Sequence, residues 1–517
     1  MAWPTAPGPE RVRVKWRPVD PSDALQIFRD RPFLPVQVTS PGRVKVWHIK
    51  TPESLLRIEP FTSGSIDPIC AFPADPSVSA NAGLGSTIRW GLRELHTYHT
   101  PLDLVRDRLP ERPVALARPD AVATAARWFQ DKFKGDVFYA VKANPSPWVI
   151  ETLAANGVMS FDVASVPEIE LVAKFAPGAR MAFMHPVKSR SAIRAAYFDH
   201  GVSTFALDTH EELAKILEET GDAGDLTLIV RLAVSAEGAA NSLSGKFGVE
   251  THEASSLLLA TRQATQGRMG VSFHVGSQCM RPTAFQAAMA QANRAIIRAG
   301  VLVDIVDVGG GFPSVYPGMV PPDMVDYIDS IDRGFADMSV HEDTELWCEP
   351  GRALVAEASS ILTKVELKKG DALYLNDGSY GSLFDAAHTK WPFPVKLFRG
   401  EGGKAVEVDG PLRPFRFYGP TCDSLDHMPG PFWLPDDIRE GDYVEIGMLG
   451  AYGVAMNTRF NGFGDAETAI VEDAPMASMF GLAGRMIRLP REAPDEERKV
   501  VRLSRPKGRA GKSRRKR

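Results

Sequence analysis

From about residue 105 onwards, short apolar runs alternate with segments in which apolar residues recur every three or four positions. The first pattern predicts buried β-strands, and the second predicts amphipathic helices. Eight such runs follow one another within about 245 residues, the number and the size typical of a (β/α)8 barrel. The predicted barrel strands are Val137–Ala143, Met159–Ala164, Arg180–Met184, Ser203–Leu207, Leu226–Val234, Gly270–Val275, Leu302–Val308 and Glu345–Glu349.

The pattern changes after Arg352, where strand-like runs are separated by Gly and Asp turns and helical segments are few. This change predicts a second, all-β domain. Before the barrel, the alternating stretches Arg11–Trp16 and Arg43–Trp47 leave two structures open, a small β-rich extension or a partly ordered arm. The predicted strands of the second domain are Ile361–Leu367, Ala372–Leu375, Ala405–Val408 and Tyr443–Ile446.

We therefore expect an α/β plus all-β protein, with a TIM-type barrel followed by a C-terminal β-barrel or β-sandwich domain. The predicted segments are an N-terminal extension at 1–90, a strand joining the β domain at 91–104, the barrel at 105–352, the β domain at 353–490 and a disordered basic tail at 491–517.

The composition is that of a globular protein of a reducing compartment. Hydrophobic residues make up 44% and charged residues 24% of the 517 positions, close to the average for soluble domains. The chain has no apolar run long enough to span a membrane, and its N-terminus lacks the pattern of a signal peptide. The four cysteines include no pair at zinc-ligand spacing, so we expect a cytoplasmic protein without a metal site.

The net charge of −4 is divided unevenly along the chain. Residues 498–517 hold 11 Lys and Arg and no acidic residue, so 49 basic residues face 64 acidic ones in the remainder. An excess of about −15 argues against a nucleic-acid surface on the folded body. The tail is either a solvated end or a nonspecific anion-binding segment.

Polar residues and glycines lie at the carboxyl ends of most predicted barrel strands, where this fold carries its chemistry. Each alone has a plainer explanation, such as a solvated lysine, a core histidine or a glycine loop. Their convergence on one barrel mouth favours a binding site. The residues are Lys142, Asp162, Ser165, Arg231, His274, Gly276, Ser277, Asp307, Gly309, Gly310, Gly311, Glu349, Gly351 and Arg352.

This set of residue types suits a phosphorylated aldehyde cofactor. A buried lysine such as Lys142 loses proton affinity and can form a Schiff base. A glycine loop brings backbone N–H groups close to a phosphate, assisted by Ser277 and Arg352. Glu349 could pair with a pyridine nitrogen, and His274 could stack on the ring.

The motifs resemble, in order and spacing, those of fold-type III pyridoxal-phosphate (PLP) decarboxylases, whose fold is like that of alanine racemase. The β-domain motifs are similar to those of ornithine decarboxylases of the eukaryotic type. The resemblance covers roughly residues 95–470. The motifs are FYAVKAN at 138–144, FDVAS at 161–165, HVGS at 274–277, DVGGGFP at 307–313, CEPGR at 348–352, NDGSYG at 376–381, GPTCD at 419–423, GAY at 450–452 and FNGF at 460–463.

The resemblance implies a role for each matching residue. Lys142 forms the Schiff base, and Cys422 is the acid that returns a proton after CO2 leaves. Asp423 and Asp385, with Tyr380, bind the substrate. The implied cofactor-binding residues are Lys142, Asp162, Arg231, His274, Ser277, Gly309, Gly310, Gly311, Glu349, Gly351, Arg352 and Tyr452.

The resemblance also implies a homodimer in which each active site is shared. Cys422 and Asp423 would come from the partner chain. One departure concerns Asp385, which follows Tyr380 by only five positions, whereas the family usually has a longer segment there. We therefore leave the assignment of Asp385 and the chain length of the substrate open.

The expected activity is the PLP-dependent decarboxylation of L-ornithine to putrescine, a step of polyamine biosynthesis. L-Lysine is the alternative substrate, with diaminopimelate and arginine behind it. A racemase of this fold usually has Arg at the pyridine nitrogen, so Glu349 argues against one. A catalytically inactive regulatory homologue should lack cofactor contacts, but Lys142, Glu349, Arg352 and Cys422 are all present.

Overall fold

The computed structural model describes residues 36–40, 43–46, 95–234, 239–241, 245–389 and 391–482. Most of the predicted N-terminal extension, including Arg11–Trp16, and the whole predicted tail at 491–517 lie outside the described residues. In the extension, strand Val36–Ser40 pairs with strand Arg43–Val46 as an antiparallel hairpin, in a compact unit of its own.

Eight parallel strands close into a barrel in sequential order, with the eighth strand paired to the first. The predicted (β/α)8 barrel is therefore confirmed, although most strands begin or end a few residues from the predicted limits. The strands, called barrel strands 1 to 8 below, are Asp136–Ala140, Ser160–Val163, Arg180–Phe183, Thr204–Leu207, Thr227–Arg231, Met269–Ser272, Ile305–Asp307 and Glu345–Cys348.

The barrel strands are buried on both faces, which explains their continuous apolar sequences. Side chains directed inwards, among them Phe138, Ile229, Ile305 and Trp347, form a separate core cluster. Side chains directed outwards pack against the surrounding helices in a much larger cluster. Because the barrel is filled in this way, the strand ends form the floor of an open mouth.

Three of the barrel helices begin at a side chain that caps the helix. Ser165, Ser189 and Thr209 each accept a hydrogen bond from the amide three residues further on. The helices around the barrel are Pro119–Lys132, Pro147–Ala155, Val166–Phe175, Arg190–Arg194, His210–Thr220, Thr251–Ala264, Thr283–Ala299, Met324–Ala336 and Arg352–Val355. Within the described residues, none of the helices has both the length and the apolarity that crossing a bilayer requires.

A largely antiparallel sheet forms the second part of the fold, which confirms the predicted all-β region. It includes strands from before the barrel, since Val114–Ala117 pairs with both Ser359–Lys369 and Glu467–Val471, and Thr97–Tyr98 also pairs with Glu467–Val471. The predicted domain boundaries themselves stay predictions. The other strands are Ala372–Leu375, Val395–Glu401, Lys404–Glu407, Leu412–Tyr418, His427–Pro435 and Tyr443–Ile446, and the helices beside them are Pro101–Arg108 and Phe384–His388.

Hydrogen bonds join the sheet region to the barrel mouth directly behind barrel strand 1. The Tyr452 amide donates to the carbonyl of Ala143 at 2.8 Å, and the Asn144 side chain donates to the carbonyl of Gly450 at 2.8 Å. A second pair of short strands, Ala239–Asn241 and Ser277–Cys279, lies antiparallel. The two hydrogen bonds bring the loop at Gly450, 306 positions from Asn144 in the sequence, to the carboxyl end of barrel strand 1.

Candidate active site

A cavity of about 440 Å3 lies at the carboxyl ends of the barrel strands. It brings together every predicted cofactor-binding residue except Gly309, which belongs to the loop after barrel strand 7. The predicted residues that line it are Lys142, Asp162, Arg231, His274, Ser277, Gly310, Gly311, Glu349, Gly351, Arg352 and Tyr452.

Lys142 follows barrel strand 1 in a single 3-10 turn, Val141–Ala143, so its side chain projects into the cavity. Its Nζ lies 2.5 Å from Oδ2 of Asp162, a buried residue of barrel strand 2. Desolvation lowers the pKa of Lys142, but the negative charges of Asp162 and Glu349 outweigh it, so the pKa is raised overall. The loss of proton affinity expected from burial is therefore wrong for Lys142, whose amine is held as an ammonium ion.

Two buried carboxyl groups lie at the ends of barrel strands 7 and 8. Burial and the nearby charges of Asp307 and Asp162 raise the pKa of Glu349 well above its usual value. Burial also raises the pKa of Asp307, which accepts a hydrogen bond from the Gly309 amide at 2.8 Å. A carboxyl group whose pKa is raised holds a proton more readily and can share it with a pyridine nitrogen.

His274 lines the cavity with a fixed and neutral ring. Its Nδ1 accepts a hydrogen bond from the Gly276 amide at 2.9 Å, which leaves Nε2 to carry the proton. Burial, with the positive charges of Arg231 and Lys142, lowers the pKa of His274 to about 3. The imidazole therefore stays uncharged across physiological pH and offers a flat face to a planar ligand.

The loop after barrel strand 7 can pack closely against its neighbours only because its residues are glycines. Gly311 has a φ of +107°, and a Cβ on it would lie 2.6 Å from the carbonyl oxygen of Gly276. A Cβ on Gly310 would lie 2.8 Å from the carbonyl oxygen of Glu349. Neither the Gly310 nor the Gly311 amide donates to another described residue. The two N–H groups can therefore bind a phosphate.

Arg352 completes this phosphate site from the loop after barrel strand 8. Its side chain is 5% exposed, and its Cζ lies 5.1 Å from the centre of the Tyr452 ring. Among the described residues, its buried Nε has no hydrogen-bond partner. A buried guanidinium N–H without a partner is costly, and a bound phosphate oxygen would satisfy it. The residues present thus fit the phosphate of PLP.

The residues predicted to contact the substrate lie elsewhere in the chain. Cys422 and Asp423 line a second cavity of about 790 Å3 in the sheet region, which shares no lining residue with the first. The Tyr380 hydroxyl donates to Oδ2 of Asp423 at 2.7 Å. Asp385 lines neither cavity, and both of its carboxylate oxygens accept hydrogen bonds from Arg352. A direct substrate contact by Asp385 therefore has no support in this geometry.

Several lining residues were missed by the sequence analysis. His185 lies two residues after the end of barrel strand 3, so the strand-end rule could have found it. Lys246 and Phe247 come from the segment after barrel strand 5, where no sequence signal marked them. The His185 ring lies 5.1 Å from the Phe247 ring, and its Nδ1 accepts from the Val187 amide at 3.1 Å. The missed residues are Ala140, Ala164, Met184, His185, Pro186, Lys246, Phe247 and Phe312.

Comparison with known proteins agrees with this geometry. Residues 120–356 match the family model of the pyridoxal-binding domain of pyridoxal-dependent decarboxylases. The lysine/ornithine decarboxylase of Selenomonas ruminantium is 33% identical over 350 residues, which cover 66% of this chain and 85% of that protein. The ornithine decarboxylase of Mus musculus is 31% identical over 385 residues, which cover 69% and 80%.

A solved structure extends the comparison to a third substrate. The arginine decarboxylase of Paramecium bursaria Chlorella virus superposes with a TM-score of 0.63 at 27% identity, covering 71% of this chain and 98% of that one. Fold, cofactor site and relatives agree on one assignment. The chain belongs to the family of PLP-dependent basic amino acid decarboxylases and is an enzyme of that kind.

Proposed function

We propose that this decarboxylase acts on L-ornithine and releases CO2 and putrescine, a step of polyamine biosynthesis. The proposal rests on the carboxylate of Asp423, the residue that directly follows Cys422 in the sequence. Hydrogen bonds from the Leu425 amide and the Tyr380 hydroxyl lower the pKa of Asp423, so it is negatively charged at neutral pH. A fixed negative charge beside the reacting centre favours a substrate with a distal ammonium group.

The cofactor, when bound, supplies the electron sink that accepts the electron pair of the broken bond between Cα and the carboxylate. The chain supplies the covalent anchor through Lys142. Glu349 presents its carboxyl group where the pyridine nitrogen would bind, and its raised pKa favours sharing a proton with that nitrogen. His274 orients the ring with an uncharged face, so that it adds no competing positive charge above the plane.

The Cys422 thiol is proposed to return the proton to Cα after CO2 leaves. The thiol is exposed and lies outside the Lys142 cavity of its own chain. We therefore propose a homodimer in which Cys422 and Asp423 of one chain enter the Lys142 cavity of the other. Each dimer then has two such sites, related by twofold symmetry.

Exposed apolar side chains near Cys422 support this arrangement. Leu425 is 72% exposed, Phe460 is 44% exposed and Phe463 is 43% exposed. The Phe460 ring lies 5.0 Å from the Tyr380 ring, and the neighbouring Asn461 side chain accepts from the Cys422 amide at 3.1 Å. Apolar surface of this kind next to polar functional groups is typical of a protein–protein interface.

L-Lysine is the alternative substrate. Its side chain is one methylene longer than that of ornithine, and a difference of one methylene gives only modest discrimination. A relative named lysine/ornithine decarboxylase supports this alternative. Diaminopimelate is less favoured because Asp423 would repel its second carboxylate.

The unpaired cysteines at 279, 348 and 422 support the proposed location in the cytoplasm.

A substrate panel tests the proposal. Purified protein saturated with PLP is given ornithine, lysine, arginine and diaminopimelate in separate assays, and kcat/KM is measured from CO2 release with the products identified by mass spectrometry. We expect the highest kcat/KM for ornithine, with putrescine as the product. A higher value for lysine, arginine or diaminopimelate would overturn the assignment of ornithine. Lys142→Ala is the control for nonenzymatic release.

A further inference from the structure

Asp385 occupies the first turn of the short helix Phe384–His388 and is 6% exposed. Its Oδ2 accepts from Nη1 of Arg352 at 2.6 Å, and its Oδ1 accepts from Nη2 at 3.3 Å. The two side chains thus form a buried ion pair with two parallel contacts, the geometry in which Arg and a carboxylate orient each other most strictly.

The backbone around Asp385 holds this side chain in place. The carbonyl of Asp385 accepts both the amide and the hydroxyl of Thr389, at 2.9 Å and 2.7 Å. The neighbouring Leu383 and Ala386 are buried. Because Asp385 follows Tyr380 by only five positions, the chain enters this helix two residues after the motif at 376–381. The carboxylate therefore has little freedom to turn towards the Lys142 cavity.

Arg352 needs these partners because it is a cation inside the protein. Its Nη1 also donates to the Tyr316 hydroxyl at 2.7 Å, and the Tyr316 ring packs 5.5 Å from the Trp391 ring. Together Asp385 and Tyr316 occupy the Nη side of the guanidinium. The Nε side, which has no partner among the described residues, is the side left for an anion. A buried charge that is paired and hydrogen-bonded is stable, whereas one without its partner is strongly destabilising.

We propose that Asp385 is a positioning residue that directs Arg352 towards the cofactor phosphate, and that it does not bind the substrate. Both carboxylate oxygens are engaged by Arg352, so a substrate ammonium could reach Asp385 only by breaking this ion pair. Of the two aspartates expected to bind the substrate, Asp423 is then the one left for the distal ammonium of the substrate. The inference rests on the cofactor of the family and not on the proposed substrate.

Asp385→Asn tests the proposal, because it removes the charge and keeps the shape. The dissociation constants of PLP and of pyridoxal, which lacks the phosphate, are measured with full-length apoenzyme by fluorescence titration. We expect weaker PLP binding by about tenfold or more, the effect of losing one charge-assisted hydrogen bond. Pyridoxal binding should be unchanged, since pyridoxal has no phosphate for Arg352 to bind. Asp423→Asn is the matched control and should leave PLP affinity unchanged.

The ratio of kcat/KM for ornithine to that for norvaline, at saturating PLP, separates the two roles of Asp385. The proposal predicts that Asp385→Asn leaves this ratio unchanged. A fall in the ratio with normal PLP affinity would mean that Asp385 binds the substrate, and it would overturn the proposal. If Asp385→Asn weakened the binding of PLP and of pyridoxal equally, the ion pair would serve general packing and not the phosphate site. That result would overturn the proposal.

A second variant covers the case in which Asp385→Asn does not fold. Tyr316→Phe removes the other hydrogen-bond partner of Arg352 Nη1 and keeps the aromatic packing. We expect the same selective loss of PLP affinity, smaller in size. Unchanged PLP affinity in a folded Tyr316→Phe protein would count against the positioning role. None of these binding measurements uses ornithine, so a wrong substrate assignment would not affect them.

Discussion

The amine of Lys142 and the carboxylate of Asp162 form an ion pair with Nζ and Oδ2 2.5 Å apart. The contact joins the ends of barrel strands 1 and 2 at the floor of the cavity. It stabilises the charged amine, whereas only the neutral amine can attack an aldehyde. The same neighbour that positions Lys142 therefore opposes covalent attachment of the cofactor.

Asp162→Asn should shift cofactor attachment to lower pH. The pKa of Lys142 is raised by Asp162 and Glu349, so the neutral fraction of the amine grows only as pH rises towards that pKa. Without the Asp162 charge we expect the midpoint to fall by about one pH unit or more. The measurement is the rate of covalent PLP capture by apoenzyme as a function of pH, after borohydride trapping. A midpoint that stays in place or rises would contradict the account.

Lys142→Ala should abolish both covalent attachment and decarboxylation. Lys246 is a second lysine of the same cavity, but it comes from the segment after barrel strand 5 and lies on no strand end. We expect borohydride treatment of wild-type protein to yield a pyridoxyl group on the Lys142 peptide, identified by mass spectrometry. A trapped adduct on the Lys246 peptide, in either protein, would contradict the assignment of Lys142 as the covalent anchor.

Cys422→Ala should lower kcat more than it raises KM, because the thiol is proposed to act after the carboxylate has left. Protonation at the cofactor carbon should then compete, and an aldehyde by-product should accumulate beside the amine. Cys422→Ser keeps the size of the side chain but supplies a weaker acid. It should therefore also lower kcat more than it raises KM, with a similar product mixture. Unchanged turnover and a pure diamine product in both variants would show that this thiol is not the proton donor.

Asp423→Asn should lower kcat/KM for ornithine by roughly 100-fold or more, since a charged contact to the substrate is lost. The loss should be much smaller for norvaline, which has no distal ammonium. Tyr380→Phe removes one of the two hydrogen bonds that hold the Asp423 carboxylate and should give a weaker effect in the same direction. Equal proportional losses for ornithine and norvaline would mean that Asp423 acts only on the loop structure.

The barrel and most of its mouth could be predicted because their signals are local. Lys142, His274 and Glu349 follow apolar runs, and the fold dictates that strand ends meet. Tyr452 has no such signal and was found through the resemblance. Its amide is tied to the carbonyl of Ala143, a contact that only the folded chain reveals.

The remaining residues of the site depend on tertiary packing. Phe247 approaches the cavity from a segment after barrel strand 5, where neither periodicity nor spacing marks it. The position of Asp385 follows from how its short helix packs against Arg352. A motif match does not reveal this packing, and alone it assigns Asp385 to the substrate site. Such contacts join segments that are far apart in sequence, and patterns along the chain do not encode them.

Lys142 of one chain and Asp423 of its partner are proposed to complete one active site. Within a single chain the two residues line different cavities. The most direct test mixes inactive Lys142→Ala and Asp423→Ala proteins, with subunit exchange verified by mass spectrometry. Random re-pairing makes half of the dimers mixed, each with one intact site, so activity should recover to about a quarter of the wild-type level. No recovery after complete exchange would contradict the shared site.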